Sequence, residues 1–260
     1  MNATLSEAEK RSPRLSDAGK RRLLAVRGEP LFFAEWRNVL FIHFEIAPEI
    51  LQRELPFELD LRDGKAFVSL VAFTMRDMRP RIGGKLGALL FKPIATHSFL
   101  NVRTYVKHNG EPGICFLTEW LSNWLSVQLG PVIYGLPYRY AKIDYRDEPE
   151  KNTLTGTVES RGAGRFSYEA KLLGNSFAPC ESGSLDEFLL ERYTSFNWRG
   201  AKRFFRIWHP SWPQMKADVS TRENALLTKA FPWFQSAKPV GANYSPGFRE
   251  VWMGRAHFCK

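Results

Sequence analysis

The segment from residue 100 to residue 106 alternates strictly between apolar and polar side chains. The two alternating sets are Leu100, Val102, Thr104 and Val106 on one side and Asn101, Arg103 and Tyr105 on the other. Because successive side chains of a strand point to opposite faces, this pattern predicts a strand with one face in a core. The other face is either solvated or lines a cavity. An amide, a guanidinium and a phenol in a row on a cavity wall would form a binding site.

Short strands with few helices are predicted along most of the chain. Strands are predicted at 39–46, 59–61, 66–73, 99–107, 114–121, 138–146, 153–160, 165–172, 204–209 and 248–253. Helices are predicted at 48–55, from Ser122 towards Tyr134, and after capping boxes at 184–187 and 220–223, the last two reaching about Tyr193 and Ala230. Asp63-Gly64 is a hairpin signal between two of the strands. This element content favours a mainly β fold, either an antiparallel barrel or a sandwich.

Two segments lack a strand pattern. Residues 1–29 are polar and contain seven basic side chains, which predicts a flexible basic tail with a short helix beginning near Ser16. Residues 30–260 are then expected to form one domain. The stretch from Arg76 to Lys92 is rich in glycine and basic residues and predicts a long loop. That loop would be either a mobile lid that attracts anions or a solvated basic surface.

Composition restricts the environment more than the function. The net charge of +10 favours anionic partners without specifying the fold. Three distant cysteines and the lack of an apolar stretch long enough for a membrane span favour the cytoplasm. The five histidines have no metal-ligand spacing, and Gly162-Ala163-Gly164 lies in a predicted hairpin instead of a nucleotide-binding turn. We therefore expect neither a metal nor a cofactor.

The chain resembles the YqjF-like family of bacterial proteins, within the acetoacetate decarboxylase-like superfamily, from about Trp36 to Ala217. The segments that carry the resemblance are Leu40-Phe41-Ile42-His43, Asp63-Gly64-Lys65-Ala66-Phe67-Val68, Phe73-Thr74-Met75-Arg76, Asn101-Val102-Arg103-Thr104-Tyr105-Val106, Gly135-Leu136-Pro137-Tyr138, Glu191-Arg192-Tyr193 and His209-Pro210-Ser211-Trp212. The resemblance implies a closed antiparallel barrel with an internal cavity. It implies no established activity for this branch.

The chain departs from the decarboxylases of that superfamily at the residues that would carry their chemistry. In those enzymes a glycine-x-proline segment leads into two lysines, one of which forms a Schiff base. Here Gly135-Leu136-Pro137 leads into Tyr138 and Arg139, which cannot form an imine. Lys142 is the nearest amine on the same predicted strand face as Tyr138. Phe99 stands where typical members of the branch have an acidic residue. A Schiff-base decarboxylation is therefore disfavoured.

The candidate ligand-binding residues are Asn101, Arg103, Tyr105, Arg76 and Arg139. Arg103 is the leading candidate, because a guanidinium inside a barrel can bind a carboxylate or phosphate through two hydrogen bonds. The alternative for Arg103 is a structural ion pair with Glu119 on the next strand. The two tyrosines of the site would otherwise be wall residues, and Arg192 would cap a helix end.

Tyr138 and His209 are the candidate acid–base groups, although a histidine among aromatic residues is more often structural. We therefore expect a protein that binds a small anionic, carboxylate-type metabolite. If it is an enzyme, we expect a lyase or hydrolase without a Schiff base. The alternatives are a nucleic-acid-binding protein, which the diffuse charge disfavours, and a non-catalytic scaffold. The sequence leaves open whether the chain forms a homo-oligomer.

Overall fold

The strands form one continuous sheet that closes on itself. The computed structural model describes residues 14–148 and 151–259, and within these ranges it contains fourteen strands and six α-helices. The strands are β1 (Phe32–Ile46), β2 (Glu58–Leu59), β3 (Ala66–Pro80), β4 (His97–His108), β5 (Glu111–Leu121), β6 (Tyr138–Tyr140), β7 (Lys142–Glu148), β8 (Thr153–Ser160), β9 (Gly164–Leu172), β10 (Thr194–Asn197), β11 (Arg203–Trp208), β12 (Met215–Asn224), β13 (Lys238–Met253) and β14 (His257–Phe258). The helices are α1 (Leu15–Leu24), α2 (Pro48–Gln52), α3 (Gly84–Phe91), α4 (Trp124–Tyr134), α5 (Leu185–Leu190) and α6 (Ala225–Ala230).

Seven strands make the closed ring. Their order around it is β1, β3, β4, β5, β10, β11 and β13, and β13 pairs with β1 to complete the circle. The ladders are antiparallel except between β5 and β10, where Ser195 lies opposite Ile114 in a parallel pair. The prediction of a mainly β, closed, largely antiparallel barrel is confirmed.

Both faces of the ring are buried. On β1, Phe41 packs inside the barrel, whereas Leu40 and Ile42 pack on its outer face. The outer face is covered because the sheet continues from β13 through β12, β9 and β8 to β7. The Tyr145 hydroxyl of β7 donates a hydrogen bond to the Phe99 carbonyl of β4, 2.8 Å away. The inward residues of β4, among them Asn101 and Arg103, are buried within the ring and line a cavity.

The structure corrects several predicted elements. The prediction of a long loop at 76–92 is wrong, because β3 extends to Pro80 and α3 follows. The prediction that a capping box at 220–223 starts a helix is also wrong, since these residues continue β12 and α6 begins only at Ala225. The other capping box is confirmed: the Ser184 hydroxyl accepts a hydrogen bond from the Glu187 amide at 3.1 Å.

Residues 14–29 of the predicted tail pack against the barrel. Leu23 of α1 is buried, and the Ser16 hydroxyl donates a hydrogen bond to the His209 carbonyl at 2.7 Å. The prediction of a loose segment is wrong for these residues, and residues 1–13 lie outside the described part of the chain. None of the helices in the described ranges is long and apolar enough to cross a membrane.

Candidate functional site

The barrel encloses a cavity of about 200 Å³ whose wall is mostly apolar. Phenylalanine, tryptophan, isoleucine and leucine side chains supply most of the surface, and a small number of polar groups interrupt it. These polar or ionisable residues are His97, Asn101, Arg103, Glu119, Ser126, Tyr134, Tyr138, Arg192 and His209. An apolar pocket with a few convergent polar groups is the usual form of a small-molecule site.

Arg103 places a guanidinium in the cavity wall, and its residue is only 8% exposed. One terminal nitrogen donates a hydrogen bond to the Leu189 carbonyl at 2.9 Å, and the guanidinium lies 5.3 Å from the centre of the Phe41 ring. Among the described residues it forms no ion pair with a carboxylate, and its Nε has no hydrogen-bond acceptor. The alternative that Arg103 pairs with Glu119 is therefore wrong. A buried cation normally has an anionic partner, which makes this group available to a ligand.

Glu119 lies in the same cavity, although the sequence offered it only as a structural partner for Arg103. It is 3% exposed, and burial raises its pKa well above the ordinary value of 4.5. Its Oε1 has no hydrogen-bond partner in residues 14–148 and 151–259. Burial therefore favours the neutral carboxylic acid form of Glu119, which can donate a hydrogen bond or a proton to a ligand.

A β-bulge turns Glu119 into the barrel. Thr118 lies opposite Val102, whereas Phe116 lies opposite Arg103, so Leu117 is an extra residue in β5. Phe116 on one side of the bulge and Glu119 on the other both line the cavity. Unbroken alternation from Phe116 would have placed Thr118 inside and Glu119 outside. No residue pattern in the strand announces this bulge.

Tyr138 enters the cavity beside Glu119, since the two residues are paired in the parallel β5–β6 ladder. Its ring packs over Gly130 of α4, where an added Cβ would overlap the ring. Burial, with smaller contributions from Glu119 and Tyr134, raises the pKa of the Tyr138 phenol well above its ordinary value. The phenol thus remains protonated near neutrality and acts as a hydrogen-bond donor, not as a base.

His209 lines the cavity within an aromatic cluster. Its ring stacks on Phe248 with centroids 5.2 Å apart, and its Nδ1 lies 2.7 Å from the Pro210 carbonyl oxygen. Burial lowers its pKa to about 4. Its Nδ1 must carry the proton in order to donate to that carbonyl, so the imidazole is neutral and oriented by the backbone.

Tyr105 lies behind the cavity wall and does not line it. Its hydroxyl contacts the Ser69 hydroxyl at 2.5 Å and donates to the Leu189 carbonyl at 2.9 Å, the same oxygen that Arg103 binds. Ser69 also contacts His43 Nδ1 at 2.6 Å, and burial lowers the pKa of His43 to about 3. Tyr105 therefore binds the same Leu189 carbonyl that Arg103 binds and does not contact a ligand in the cavity.

Arg76 and Arg139, both expected to bind the ligand, are exposed and do not line the cavity. Each follows an inward residue, Met75 or Tyr138, so alternation turns it outward. Lys142, the amine considered for a displaced Schiff base, is also exposed and does not line the cavity. Of the predicted site residues, the structure brings together Asn101, Arg103, Tyr138 and His209.

Arg192 and His97 are two further polar residues of the wall. Arg192 donates from Nε to the Phe188 carbonyl at 2.7 Å and pairs with Asp60 at 2.7 Å, so its predicted helix-capping role is confirmed. His97 packs on Phe99 with ring centroids 4.6 Å apart, and burial lowers its pKa to about 4. No cluster of three or more His, Cys, Asp or Glu side chains suited to a metal ion occurs in the described ranges.

The fold and the sequence both have recognisable relatives. In solved structures, acetoacetate decarboxylase from Legionella pneumophila superposes with a TM-score of 0.62 at 15% identity, covering 88% of this chain and 87% of that chain. The enduracididine biosynthesis enzyme MppR complexed with pyruvate superposes with a TM-score of 0.61 at 12% identity, covering 90% and 92%. At these identities the similarity is one of fold.

Sequence similarity gives the family. The uncharacterized protein YqjF of Bacillus subtilis (strain 168) is 29% identical over 197 residues, which are 74% of this chain and 78% of YqjF. The model of the DUF2071 family, described as an uncharacterized conserved protein, matches residues 33–249. This range contains every strand of the barrel ring either wholly or in large part. The chain is therefore a YqjF-like member of the DUF2071 family with the acetoacetate decarboxylase-like fold.

Proposed function

We propose that this protein binds a small carboxylate with an apolar body inside the barrel. The observation that carries the proposal is the buried guanidinium of Arg103 in an apolar cavity, without a carboxylate partner among the described residues. A ligand carboxylate would accept charge-assisted hydrogen bonds from Arg103, and these are stronger in a cavity that excludes water. The apolar wall would hold the remainder of the ligand.

Glu119 supports the choice of an anionic ligand over a cationic one. Burial raises the pKa of the Glu119 carboxyl and so disfavours the negative charge that would oppose an incoming anion. In its protonated form Glu119 would be a hydrogen-bond donor towards the ligand beside the Arg103 guanidinium and the Tyr138 hydroxyl. Asn101, opposite Glu119 in the β4–β5 ladder, adds an amide to the same wall.

The same geometry indicates where a proton would come from if the bound carboxylate reacts. Of the groups in the cavity, Glu119 is the carboxyl whose pKa burial raises above its ordinary value, which favours the protonated form that a general acid needs. His209 is a weak base with a pKa of about 4, and its Nδ1 is engaged by the Pro210 carbonyl. We therefore assign any general-acid step of a lyase or hydrolase to Glu119, with Tyr138 as a supporting donor.

Binding tests the proposal directly. Purified protein is titrated by calorimetry with pyruvate, butyrate, hexanoate and benzoate, and with the corresponding neutral amides of the last three. Hydrogen bonds to charged groups contribute about 1.5–3 kcal/mol, so Arg103→Gln should weaken carboxylate binding by about 10- to 100-fold. Arg139→Gln is the matched control, because Arg139 is exposed outside the cavity, and it should bind as the parent does.

Two results would refute this function. Equal affinity of the parent and the Arg103→Gln variant, with unchanged circular dichroism, would show that Arg103 does not anchor the ligand. Equal binding of carboxylates and amides would show that charge is not recognised. A short DNA duplex in the same panel tests the nucleic-acid alternative, which predicts binding that weakens with salt and does not depend on Arg103.

A further inference from the structure

Helices α3 and α4 expose an unusual number of large apolar side chains. Of the seventeen large hydrophobic residues exposed in the described ranges, nine lie on or next to these two helices. They are Ile82, Leu86, Leu89, Leu90, Trp124, Leu125, Leu129, Val132 and Ile133. Leu90 is 72% exposed and Val132 is 75% exposed, and α3 has no buried residue at all. Such a contiguous apolar surface marks an interaction site.

The two helices belong to one face of the molecule, at the mouth of the cavity. The Asn123 side chain, which caps α4, donates a hydrogen bond to the Pro93 carbonyl just after α3, 2.7 Å away. Phe91 lines the cavity from the α3 side. Leu129 and Ile133 of α4 line the cavity and are also exposed, so the cavity opens between the helices. We call this surface the α3–α4 face.

The charge close to the α3–α4 face is mostly positive, with exposed Asp77 beside it, whose amide donates a hydrogen bond to the Thr96 hydroxyl. Residues 78–98 and 120–143 contain neither aspartate nor glutamate. The basic side chains in these ranges are Arg79, Arg81, Lys85, Lys92, Arg139 and Lys142. Arg81, Lys85 and Lys92 are exposed beside the apolar residues of α3. Apolar side chains flanked by cations are typical of helices that lie in the headgroup region of an anionic bilayer.

We propose that the α3–α4 face docks on an anionic phospholipid bilayer. The apolar side chains of both helices enter the headgroup region, and the flanking lysines and arginines contact lipid phosphates. A second copy of the chain fits less well, because a twofold contact through this face would bring the same cations against one another. The docking does not depend on the proposed carboxylate binding, although it would turn the cavity mouth towards the membrane.

Vesicle flotation tests the docking. The full chain is mixed with phosphatidylcholine vesicles, or with vesicles containing about 30 mol% phosphatidylglycerol, and should float with the anionic vesicles. Leu86→Ser/Leu90→Ser should lower the partition coefficient about tenfold. Leu173→Ser is the control, because Leu173 is 59% exposed at the end of β9, away from the α3–α4 face, and its variant should bind as the parent does.

Charge and insertion are measured separately. Lys85→Glu should weaken binding to anionic vesicles, whereas Arg161→Glu, at the exposed β8–β9 turn, should not. Trp124 is 61% exposed, so its fluorescence should shift to the blue on anionic vesicles, and Trp124→Phe should remove that shift while flotation persists. Arg103→Gln should float as the parent does, which separates this proposal from the proposed function.

Several outcomes would overturn the proposal. Failure of the parent to float with anionic vesicles would do so, as would equal flotation with vesicles of either composition. Equal loss in Leu173→Ser would show that the α3–α4 face has no special role. A dimer in light scattering that Leu86→Ser/Leu90→Ser abolishes would show that a second copy covers this face instead.

Discussion

Acid should destabilise this protein through its buried histidines. Burial lowers the pKa of His43 to about 3 and those of His97 and His209 to about 4, from an ordinary value of 6.5. As the pH falls below 6.5, the unfolded chain takes up protons that the folded chain does not. The stability that these neutral histidines contribute is therefore fully present above pH 6.5 and is lost as the pH falls towards their folded-state pKa values.

The magnitude follows from proton linkage. Each histidine removes about 1.4 kcal/mol of unfolding free energy per pH unit once the unfolded imidazole is fully protonated, and less near pH 6.5, so three remove about 6–7 kcal/mol over the two pH units below 6.5. A typical domain has only about 5–15 kcal/mol in total. Glu119 acts in the opposite direction, because burial raises its pKa and the folded chain keeps the Glu119 proton at pH values where the unfolded chain has lost it. Its stabilisation is fully present below pH 4.5 and is lost as the pH rises through its folded-state pKa.

Variants isolate these contributions from those of other groups. Urea unfolding is followed by circular dichroism at intervals between pH 5 and 6.5, and the slope of unfolding free energy against pH is compared. His97→Phe should reduce the slope by about 1 kcal/mol per pH unit. Glu119→Gln should increase the slope, because the proton that the folded chain holds on Glu119 is removed. An unchanged slope in His97→Phe would refute the burial of a neutral imidazole, and an unchanged slope in Glu119→Gln would refute a neutral Glu119.

Three further substitutions test the packing around the site. Gly130→Ala would place a methyl group inside the Tyr138 ring, so it should destabilise the fold by about 1–3 kcal/mol in urea unfolding and weaken carboxylate binding; parental affinity would contradict this. Asp60→Asn should lower the free energy of unfolding by about 3–5 kcal/mol, because it leaves the Arg192 guanidinium buried without its counter-charge. An unchanged melting temperature would contradict this. Gly247→Ala, at a φ of +87° against a backbone carbonyl of β1, should cost about 3 kcal/mol or more, and a parental melting curve would refute it.

Much of the architecture could be read from local patterns. The alternation at 100–106 correctly separated Val102, which packs outside the barrel, from Arg103, which faces inside. The same rule, applied to Met75 and Tyr138, would have excluded Arg76 and Arg139 from the site. The Asn109-Gly110 turn joins β4 to β5 with both residues at positive φ, as that dipeptide predicts.

Other features were missed because local sequence carries conflicting signals. The glycines and cations at 76–92 suggested a loop, yet Leu86, Leu89 and Leu90 lie on a helix whose apolar residues remain exposed. The capping box at 220–223 matched the residue types for a helix start, but pairing with β9 keeps this segment extended. Tertiary pairing outweighed local preference at that position.

The sequence by itself determined the strand content, the inward direction of Arg103 and the loss of the Schiff-base lysines. These properties follow from the order of residues and the alternation of side chains along an extended backbone. Only the tertiary structure decided that Arg103 has no carboxylate partner and that Glu119 joins it in the cavity. The bulge at Leu117 arises from the register between β4 and β5, and burial of Glu119 requires the ring to close. Both depend on pairing between distant segments, which no local pattern encodes.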